Sequence, residues 1–229
     1  ALDPIHIGTG GYRIGRVDNT IVREPATGIP KIPGTTIAGV SRMYAFLKAR
    51  EAGENINTVC SKGKPMDSRE PCGECRICIT FGYTKKDKSM QAMALFSDAH
   101  ILLFPVATMI GPVWVTCPMI LSGLCDSFHE ETPGIRDVEI PMNKFILPTH
   151  SDLKPLEGKL NFGWLLLDKL EGNKRIDIEE LKYCENGSEK SLKEVIPLEI
   201  LKRVVIVSND VFRVIVNSNL EVRTSVAID

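Results

Sequence analysis

A cluster of four cysteines constrains the fold of this chain more than any other sequence feature. The cluster consists of Cys60, Cys72, Cys75 and Cys78, and it lies in a polar stretch, residues 51–94, that is rich in Lys, Glu, Gly and Pro. Four thiolates suit a tetrahedral zinc ion, and a shell closed by four sulfurs is structural rather than catalytic. A polar stretch of this length cannot build much core of its own. We therefore interpret 51–94 as an insertion that metal binding helps to fold.

Two other interpretations of the cluster stay open, namely free thiols and an iron–sulfur cluster. The run from Cys72 to Cys78 resembles the start of a bacterial ferredoxin motif, but Gly82 and Tyr83 stand where that motif needs Cys-Pro. A disulfide framework is disfavoured, because the chain has an odd number of cysteines, seven, and no secretion signal at its start. The chain does not begin with Met, so we expect the true N-terminus to lie upstream.

Composition and charge narrow the class of protein. No run of about 18 apolar residues exists, which predicts a cytoplasmic protein without a membrane span. The net charge of −1 argues against binding to nucleic acid through charge alone. Charge is unevenly distributed, however, because residues 1–50 carry seven basic and three acidic side chains. This surplus permits a local site for a polyanion on the first segment, and solvated surface charge explains it equally well.

The clearest predicted helix follows Pro33 and Gly34. Thr35 and Thr36 are its expected N-caps. Apolar residues then recur at helical spacing, and this stripe should face a core, most simply a sheet. The stripe consists of Ile37, Val40, Tyr44 and Leu47.

Several strands are predicted around this helix. They cover residues 4–8, 99–106, 113–117, 163–171, 204–210 and an alternating end at 220–228. Ser208 is expected to cap a further helix, whose apolar face comprises Val211, Phe212, Ile215 and Val216. Residues 125–163, rich in Pro and Gly, are expected to form a second insertion with little regular structure. The element order predicts an α+β fold, a modified ferredoxin-like (RRM-like) sheet with insertions.

An ordered series of motifs points to a known family. The motifs are residues 6–8 (HIG), 17–19 (VDN), 21–23 (IVR), 28–36 (GIPKIPGTT) and a helix with Arg42. In this order they resemble the RAMP proteins of CRISPR effector complexes. Two later stretches, 102–118 and 204–212, look like the backbone subunit of type III-B (Cmr) complexes in particular. The type III-A backbone subunit shares the first motifs and matches the later ones less well.

The resemblance implies an architecture and a set of partners. The family fold is a modified ferredoxin-like palm with finger-like insertions and a β-hairpin thumb. Several copies form a filament on a guide crRNA with other type III subunits, and target single-stranded RNA is cut at six-nucleotide intervals. We expect residues 1–50 to form the first half of the palm with the catalytic loop, 51–94 the zinc-binding finger, and 95–229 the second half of the palm. We expect the thumb hairpin of the family to be missing from the chain as given.

The resemblance also assigns roles to single residues. Asp18 takes the place of the family's catalytic aspartate, with Mg²⁺ or Mn²⁺ for cleavage, although its local sequence alone predicts only a turn. His6 matches a family position with a lesser expected role. The expected RNA contacts come from the N-terminus of the first helix and from basic side chains. They involve Arg16, Arg23, Thr35, Thr36 and Arg42.

Three functions are therefore distinguished. The first is an endoribonuclease that is active only within a ribonucleoprotein. The second is a non-catalytic RNA-binding backbone of the same kind of complex. The third, a guide-processing ribonuclease that acts without partner subunits, is disfavoured because that activity usually depends on a differently placed histidine.

Overall fold

The structure of the chain is a computed structural model. It describes residues 5–8, 21–126, 135, 138–172, 176–185 and 188–220. Arg16, Asp18 and the strand predicted beyond Leu220 lie outside the described residues. The chain divides into two compact units. The N-terminal unit comprises residues 1–24 and 30–100, and the C-terminal unit comprises residues 25–29 and 101–229.

The described part of the N-terminal unit contains one long helix, two short helices and short strand pairs. Its elements are β1 (Lys31–Ile32), α1 (Gly34–Glu51), a 3-10 helix (Thr58–Ser61), α2 (Arg76–Phe81), β2 (Tyr83–Thr84), β3 (Ser89–Met90) and β4 (Ala99–His100). Strand β1 pairs antiparallel with β4, so that Ile32 lies opposite Ala99. Strands β2 and β3 form a hairpin. The β1–β4 pair joins the two ends of the segment that carries α1 and the four cysteines.

Helix α1 confirms the predicted helix, but its buried face is not the predicted one. Val40, Tyr44 and Leu47 of the expected stripe are 52%, 68% and 46% exposed. The buried residues of α1 are Gly34, Arg42, Phe46 and Ala49. The chain after α1 returns as the 3-10 helix and α2, and both contact α1. The predicted face was wrong because a different, shorter row of residues on α1 is the buried one. This row includes an arginine, Arg42, which a search for apolar residues does not count.

In its described residues, the C-terminal unit contains a six-stranded sheet, a separate hairpin and four helices, one of them a 3-10 helix. Its elements are β5 (Phe104–Val106), β6 (Val113–Thr116), α3 (Pro118–Asp126), β7 (Lys144–Ile146), β8 (Lys159–Phe162), β9 (Leu165–Lys169), β10 (Lys182–Glu185), β11 (Ser188–Ser191), a 3-10 helix (Leu192–Glu194), α4 (Leu198–Leu201), β12 (Val204–Val207) and α5 (Asn209–Ser218). The predicted strands at 113–117 and 163–171 are confirmed by β6 and β9, whereas the single strand predicted at 99–106 was wrong: the structure has two short strands there, β4 and β5, in different sheets. Among the described residues, no helix is both long and apolar enough to cross a membrane.

The sheet has mixed direction, with strand order β5-β6-β12-β7-β9-β8. Strand β12 runs parallel to β6 and antiparallel to β7, and β7 runs parallel to β9. The outer pairs, β5–β6 and β8–β9, are antiparallel. Among the strands that the structure describes, β10 and β11 pair only with each other. The chain therefore has the predicted mixed α+β class.

The central strand β12 is buried on both faces, which explains its uninterrupted apolar sequence. Val205 and Val207 point into a core cluster that also contains the apolar face of α5. Val204 and Ile206 point into the opposite cluster, together with Leu121 of α3. Alternate residues of a strand project to opposite sides, so one run of four apolar residues serves two cores.

The expectation for residues 125–163 was wrong where the structure describes them. Strand β7 occupies a central position of the sheet, between β12 and β9, and β8 forms its edge. Ile146 lies opposite Ile206, and Phe145 is fully buried. Strand β7 has only three residues, too few to show a period in sequence, and its partners lie far away along the chain.

The cap and apolar face predicted for α5 are confirmed, and they permit a stability test. Ser208 accepts a hydrogen bond from the backbone N–H of Val211 at 3.4 Å. Val216 is fully buried, whereas Val214 on the same helix is 38% exposed. We expect Val216→Ala to lower the free energy of unfolding by about 2 kcal/mol, from lost burial plus a cavity. Val214→Ala is the matched control and should cost less than about 1 kcal/mol. Equal losses in urea denaturation would contradict this packing.

Candidate metal centre and RNA-facing residues

The four cysteine sulfurs converge on one point of the N-terminal unit. Their Sγ atoms all lie within 4.8 Å of one another, and those of Cys60 and Cys72 are 3.6 Å apart. In a tetrahedral site with Zn–S distances of about 2.3 Å, neighbouring sulfurs are about 3.8 Å apart. The four cysteines could therefore hold a metal ion, and their spacing is consistent with a structural zinc. We call residues 57–92 the cysteine segment.

Short local structures place three of the four sulfurs. Cys60 lies in the 3-10 helix, whose start is capped by the side chain of Asn57, which accepts a hydrogen bond from the N–H of Val59 at 3.1 Å. Cys75 is the N-cap residue of α2, and Cys78 lies in the first turn of that helix. Residues three apart on a helix lie on the same side, so the two sulfurs can reach one ion.

Backbone N–H groups and burial set the electrostatics of the cluster. The N–H of Cys72 donates to the sulfur of Cys60, and the N–H of Cys75 donates to the sulfur of Cys72, both at 3.3 Å. Burial raises the pKa of the Cys60 thiol to about 12. Burial also opposes ionisation of Cys72, but the N–H groups of Glu74 and Cys75 lower its pKa to about 7. A cation bound by all four sulfurs would favour every thiolate, because metal ligation requires deprotonation.

A carboxylate caps the N-terminus of α1. The N–H of Gly34 donates to Oδ1 of Asp98 at 2.8 Å. The N-cap residue of the helix is Pro33, and no side chain at that position caps it. Thr35 and Thr36 lie inside the first turn, so the prediction that they are N-caps was wrong. The capping group belongs to a residue 64 positions away, which local sequence patterns do not reveal.

The charge at this helix end is balanced by a lysine. The ammonium of Lys31 lies 2.6 Å from Oδ2 of Asp98 and 2.8 Å from a carboxylate oxygen of Glu24. Hydrogen bonds from Lys31 and from the N–H of Gly34 hold the pKa of Asp98 below its usual range. The capping carboxylate offsets part of the positive potential of the helix end. The contacts of Thr35 and Thr36 with guide phosphates stay a prediction.

Arg42 lies in the interior of the N-terminal unit. It is only 8% exposed, and its guanidinium donates hydrogen bonds to the main-chain carbonyls of Cys60, Phe81 and Gly82. The structure therefore directs this side chain toward the cysteine segment. The predicted contact of Arg42 with guide phosphates stays a prediction.

The remaining predicted site residues lie near the start of the chain. The N–H of Val22 donates to the carbonyl of Ile7 at 2.9 Å, and Gly8 pairs antiparallel with Ile21. In this register His6 and Arg23 occupy opposing positions, and both side chains are exposed. The predicted catalytic Asp18 and the predicted RNA contact Arg16 lie outside the described residues. Their roles, and those of His6 and Arg23, stay predictions.

Comparison with known proteins identifies the family. The model of the RAMP superfamily matches residues 1–229. The chain therefore belongs to the RAMP superfamily, and the resemblance seen in the sequence motifs is confirmed.

Two individual relatives and one solved structure are similar to the chain. The chain is 27% identical over 237 aligned residues to the CRISPR system Cmr endoribonuclease Cmr4 of Pyrococcus furiosus, and the match covers all of this chain and 69% of that protein. It is 36% identical over 80 residues to the CRISPR system endoribonuclease Csm3 of Methanothermobacter thermautotrophicus, which covers 34% of this chain and 28% of that protein. The crystal structure of oligomeric Cmr4 from Pyrococcus furiosus shares its fold, with a TM-score of 0.56 and 21% identity over 88% of this chain and 68% of that chain. The chain spans about two thirds of the length of Cmr4.

Proposed function

We propose that the chain is a backbone subunit of a type III-B CRISPR effector, which binds guide crRNA and cleaves the complementary target RNA. The observation that carries the proposal is the similarity to the Cmr endoribonuclease Cmr4 along the whole chain, within a family match over residues 1–229. A fold shared with solved Cmr4 supports the same assignment.

The proposed subunit works in a cytoplasmic ribonucleoprotein and not alone. Copies of the chain would stack along the guide crRNA beside the other type III subunits, with a ferredoxin-like palm contacting the guide. The relative described as oligomeric Cmr4 supports such self-association. The cysteine segment would be the finger of this palm, and the thumb would lie in the part of Cmr4 that the chain does not match. Cleavage once per subunit would give products spaced by six nucleotides.

The proposed chemistry depends on Asp18. The 2′-hydroxyl of the target would attack its adjacent phosphate and break the bond to the 5′-oxygen of the next nucleotide, which leaves as a 5′-hydroxyl after taking up a proton. This attack needs in-line geometry, which a regular A-form helix does not offer and a displaced nucleotide does. The carboxylate of Asp18 would bind the Mg²⁺ or Mn²⁺ ion or accept the hydroxyl proton. With one carboxylate, most of the acceleration would come from positioning the nucleotide. His6, whose side chain is exposed, would have a supporting role in this reaction.

The cysteine cluster is proposed as a zinc site that stabilises the fold and takes no part in cleavage. Four protein sulfurs leave no open coordination position for a substrate. The short distances between the four sulfurs, all within 4.8 Å, also disfavour a four-iron cluster, because each thiolate of such a cluster binds a separate iron. A single ion satisfies all four sulfurs at once.

A second candidate function is the equivalent subunit of a type III-A complex. The 36% identity to Csm3 over 80 residues favours it locally, but that match covers only 34% of this chain. A purely structural RNA-binding backbone is the remaining alternative. It differs from the proposed function in one result, because replacement of Asp18 would then leave target cleavage unchanged.

Reconstitution with the other type III-B subunits and a guide crRNA tests the proposed function. A 5′-labelled complementary RNA is expected to give a ladder of products at six-nucleotide spacing, because each copy of the subunit would cut once. A target without complementarity is the control and should stay intact. Products without this spacing, or cleavage of the non-complementary RNA, would contradict the proposal.

A further inference from the structure

We propose that Arg42 is the positioning residue and countercharge of the four-cysteine metal site. The inference depends on the proposed metal in the cysteine cluster and is independent of RNA cleavage. Arg42 lies on helix α1, outside the cysteine segment, and its proposed role is to hold that segment in its folded conformation.

The hydrogen bonds of Arg42 connect the two structural parts that carry the sulfurs. Its Nε donates to the carbonyl of Cys60, a residue of the cluster itself, at 2.8 Å. Its Nη1 donates to the carbonyl of Gly82 at 2.7 Å and to that of Phe81 at 3.2 Å. Those two carbonyls lie at the C-terminal end of α2, the helix whose N-cap residue is Cys75. One planar guanidinium therefore fixes the 3-10 helix of Cys60 relative to the helix of Cys75.

The backbone of the cysteine segment packs directly against the guanidinium. A side chain at Gly63 would place its Cβ 2.5 to 2.8 Å from the terminal atoms of Arg42, and Gly63 has a φ of +69°. Only glycine fits this approach without displacing the arginine. Gly63 also accepts a hydrogen bond from the N–H of Thr84, just after α2. The segment is thus folded around the arginine on two sides.

The charge of Arg42 needs a partner, and a metal–thiolate cluster would provide it. The side chain is buried, its Nη2 has no hydrogen-bond acceptor in the described part of the chain, and none of the described carboxylates forms an ion pair with it. An isolated buried charge is strongly unfavourable, so buried charges are normally paired. Zn²⁺ with four thiolates carries a net charge of about −2. The guanidinium, which contacts the main chain of Cys60, would stabilise that negative cluster.

This arrangement couples the metal to helix α1. Groups that hydrogen-bond to the residues around a metal orient its ligands, and their loss typically weakens metal binding by about 10–100-fold. Arg42→Gln keeps a polar side chain but removes the charge and the fork of donors. We expect it to weaken zinc binding, or to speed zinc release to a chromogenic chelator, by at least about tenfold. Arg42→Lys, which keeps the charge and loses the fork, should give an intermediate effect.

Matched controls separate this role from a general loss of stability. Arg50→Gln makes the same change at an exposed position of α1 and should leave zinc release unchanged. Gly63→Ala alters no charge and no ligand, yet it should accelerate zinc release, because its Cβ meets the guanidinium and its positive φ strains any residue other than glycine. Circular dichroism of the zinc-bound variants reports on the fold, and binding of guide RNA is measured in parallel.

Each outcome decides a different point. Wild-type protein without zinc would overturn the metal site itself, while zinc-bound wild type with an unaffected Arg42→Gln variant would overturn the role of Arg42 alone. A variant that keeps zinc and loses guide RNA would assign Arg42 to phosphate binding instead. If Arg42→Gln does not fold, the decision passes to Arg42→Lys and Gly63→Ala, and wild-type zinc release in both would refute the proposal.

Discussion

Serine in place of Cys60 and Cys78 is expected to abolish zinc binding and to unfold the cysteine segment. The buried hydrophobic residues described in this segment are few: Cys60, Cys78 and Tyr83 form one cluster with three partly buried neighbours, and Val59 and Ile77 are also buried. Such a core is too small to offset the conformational entropy of some thirty-five residues. Zinc-finger peptides gain about 10–16 kcal/mol from their metal. We therefore expect the cysteine segment to lose its folded structure when the metal is removed.

Elemental analysis and hydrogen exchange measure this result. Wild-type protein should contain about one zinc per chain, and its amides in residues 57–92 should be protected from exchange. The double variant, and wild type treated with a chelator, should lose that protection. Cys117→Ser is the matched control, since Cys117 is buried in the core of the C-terminal unit, outside the cluster. It should keep the zinc. A metal-free wild type with a protected segment would show that the cysteines are free thiols.

Replacement of Asp18 by asparagine is expected to stop cleavage of target RNA while assembly and guide binding continue. Loss of a general base or of a metal-binding carboxylate typically slows a reaction by about 10²–10⁴-fold, and we expect a loss in this range. Asparagine has nearly the same shape as aspartate, so the effect isolates the negative charge. The rate is measured in the reconstituted complex with a labelled target, and guide and target binding by electrophoretic mobility shift.

Two further variants are compared with Asp18→Asn. Asp87→Asn makes the same change at an exposed site in the β2–β3 hairpin and should cleave at the wild-type rate. His6→Ala should reduce the rate less than Asp18→Asn does. Cleavage by the Asp18 variant at the wild-type rate would favour the structural backbone, with the nuclease in another subunit.

Elements defined by local sequence were predicted well. Strand β12, the Ser208 cap and the apolar face of α5 all follow from neighbouring residues, since a buried strand and a capped helix have short-range patterns. The compact cysteine cluster could also be predicted, because ligand spacing is a local property. Family motifs supplied the RAMP assignment, which composition and periodicity alone did not.

Features that depend on distant contacts could not be predicted in this way. The cap of α1 comes from Asp98, and strand β7 is recognisable only once β12 and β9 lie on either side of it. The buried side of α1 was misassigned because Arg42 is polar in sequence, whereas its carbonyl acceptors appear only in the folded chain. A hydrophobic pattern shows that a segment is helical more securely than it shows which side of the helix packs against other elements.

The pairing of β1 with β4 also has an evolutionary and practical consequence. Ile32 and Ala99 lie side by side although 66 residues separate them. Whatever is inserted between two such anchored points starts and finishes at one location, so its length and chemistry can change without moving the strands outside it. Chimaeras that exchange the whole 33–98 module between family members should therefore be tolerated better than exchanges with one boundary inside it.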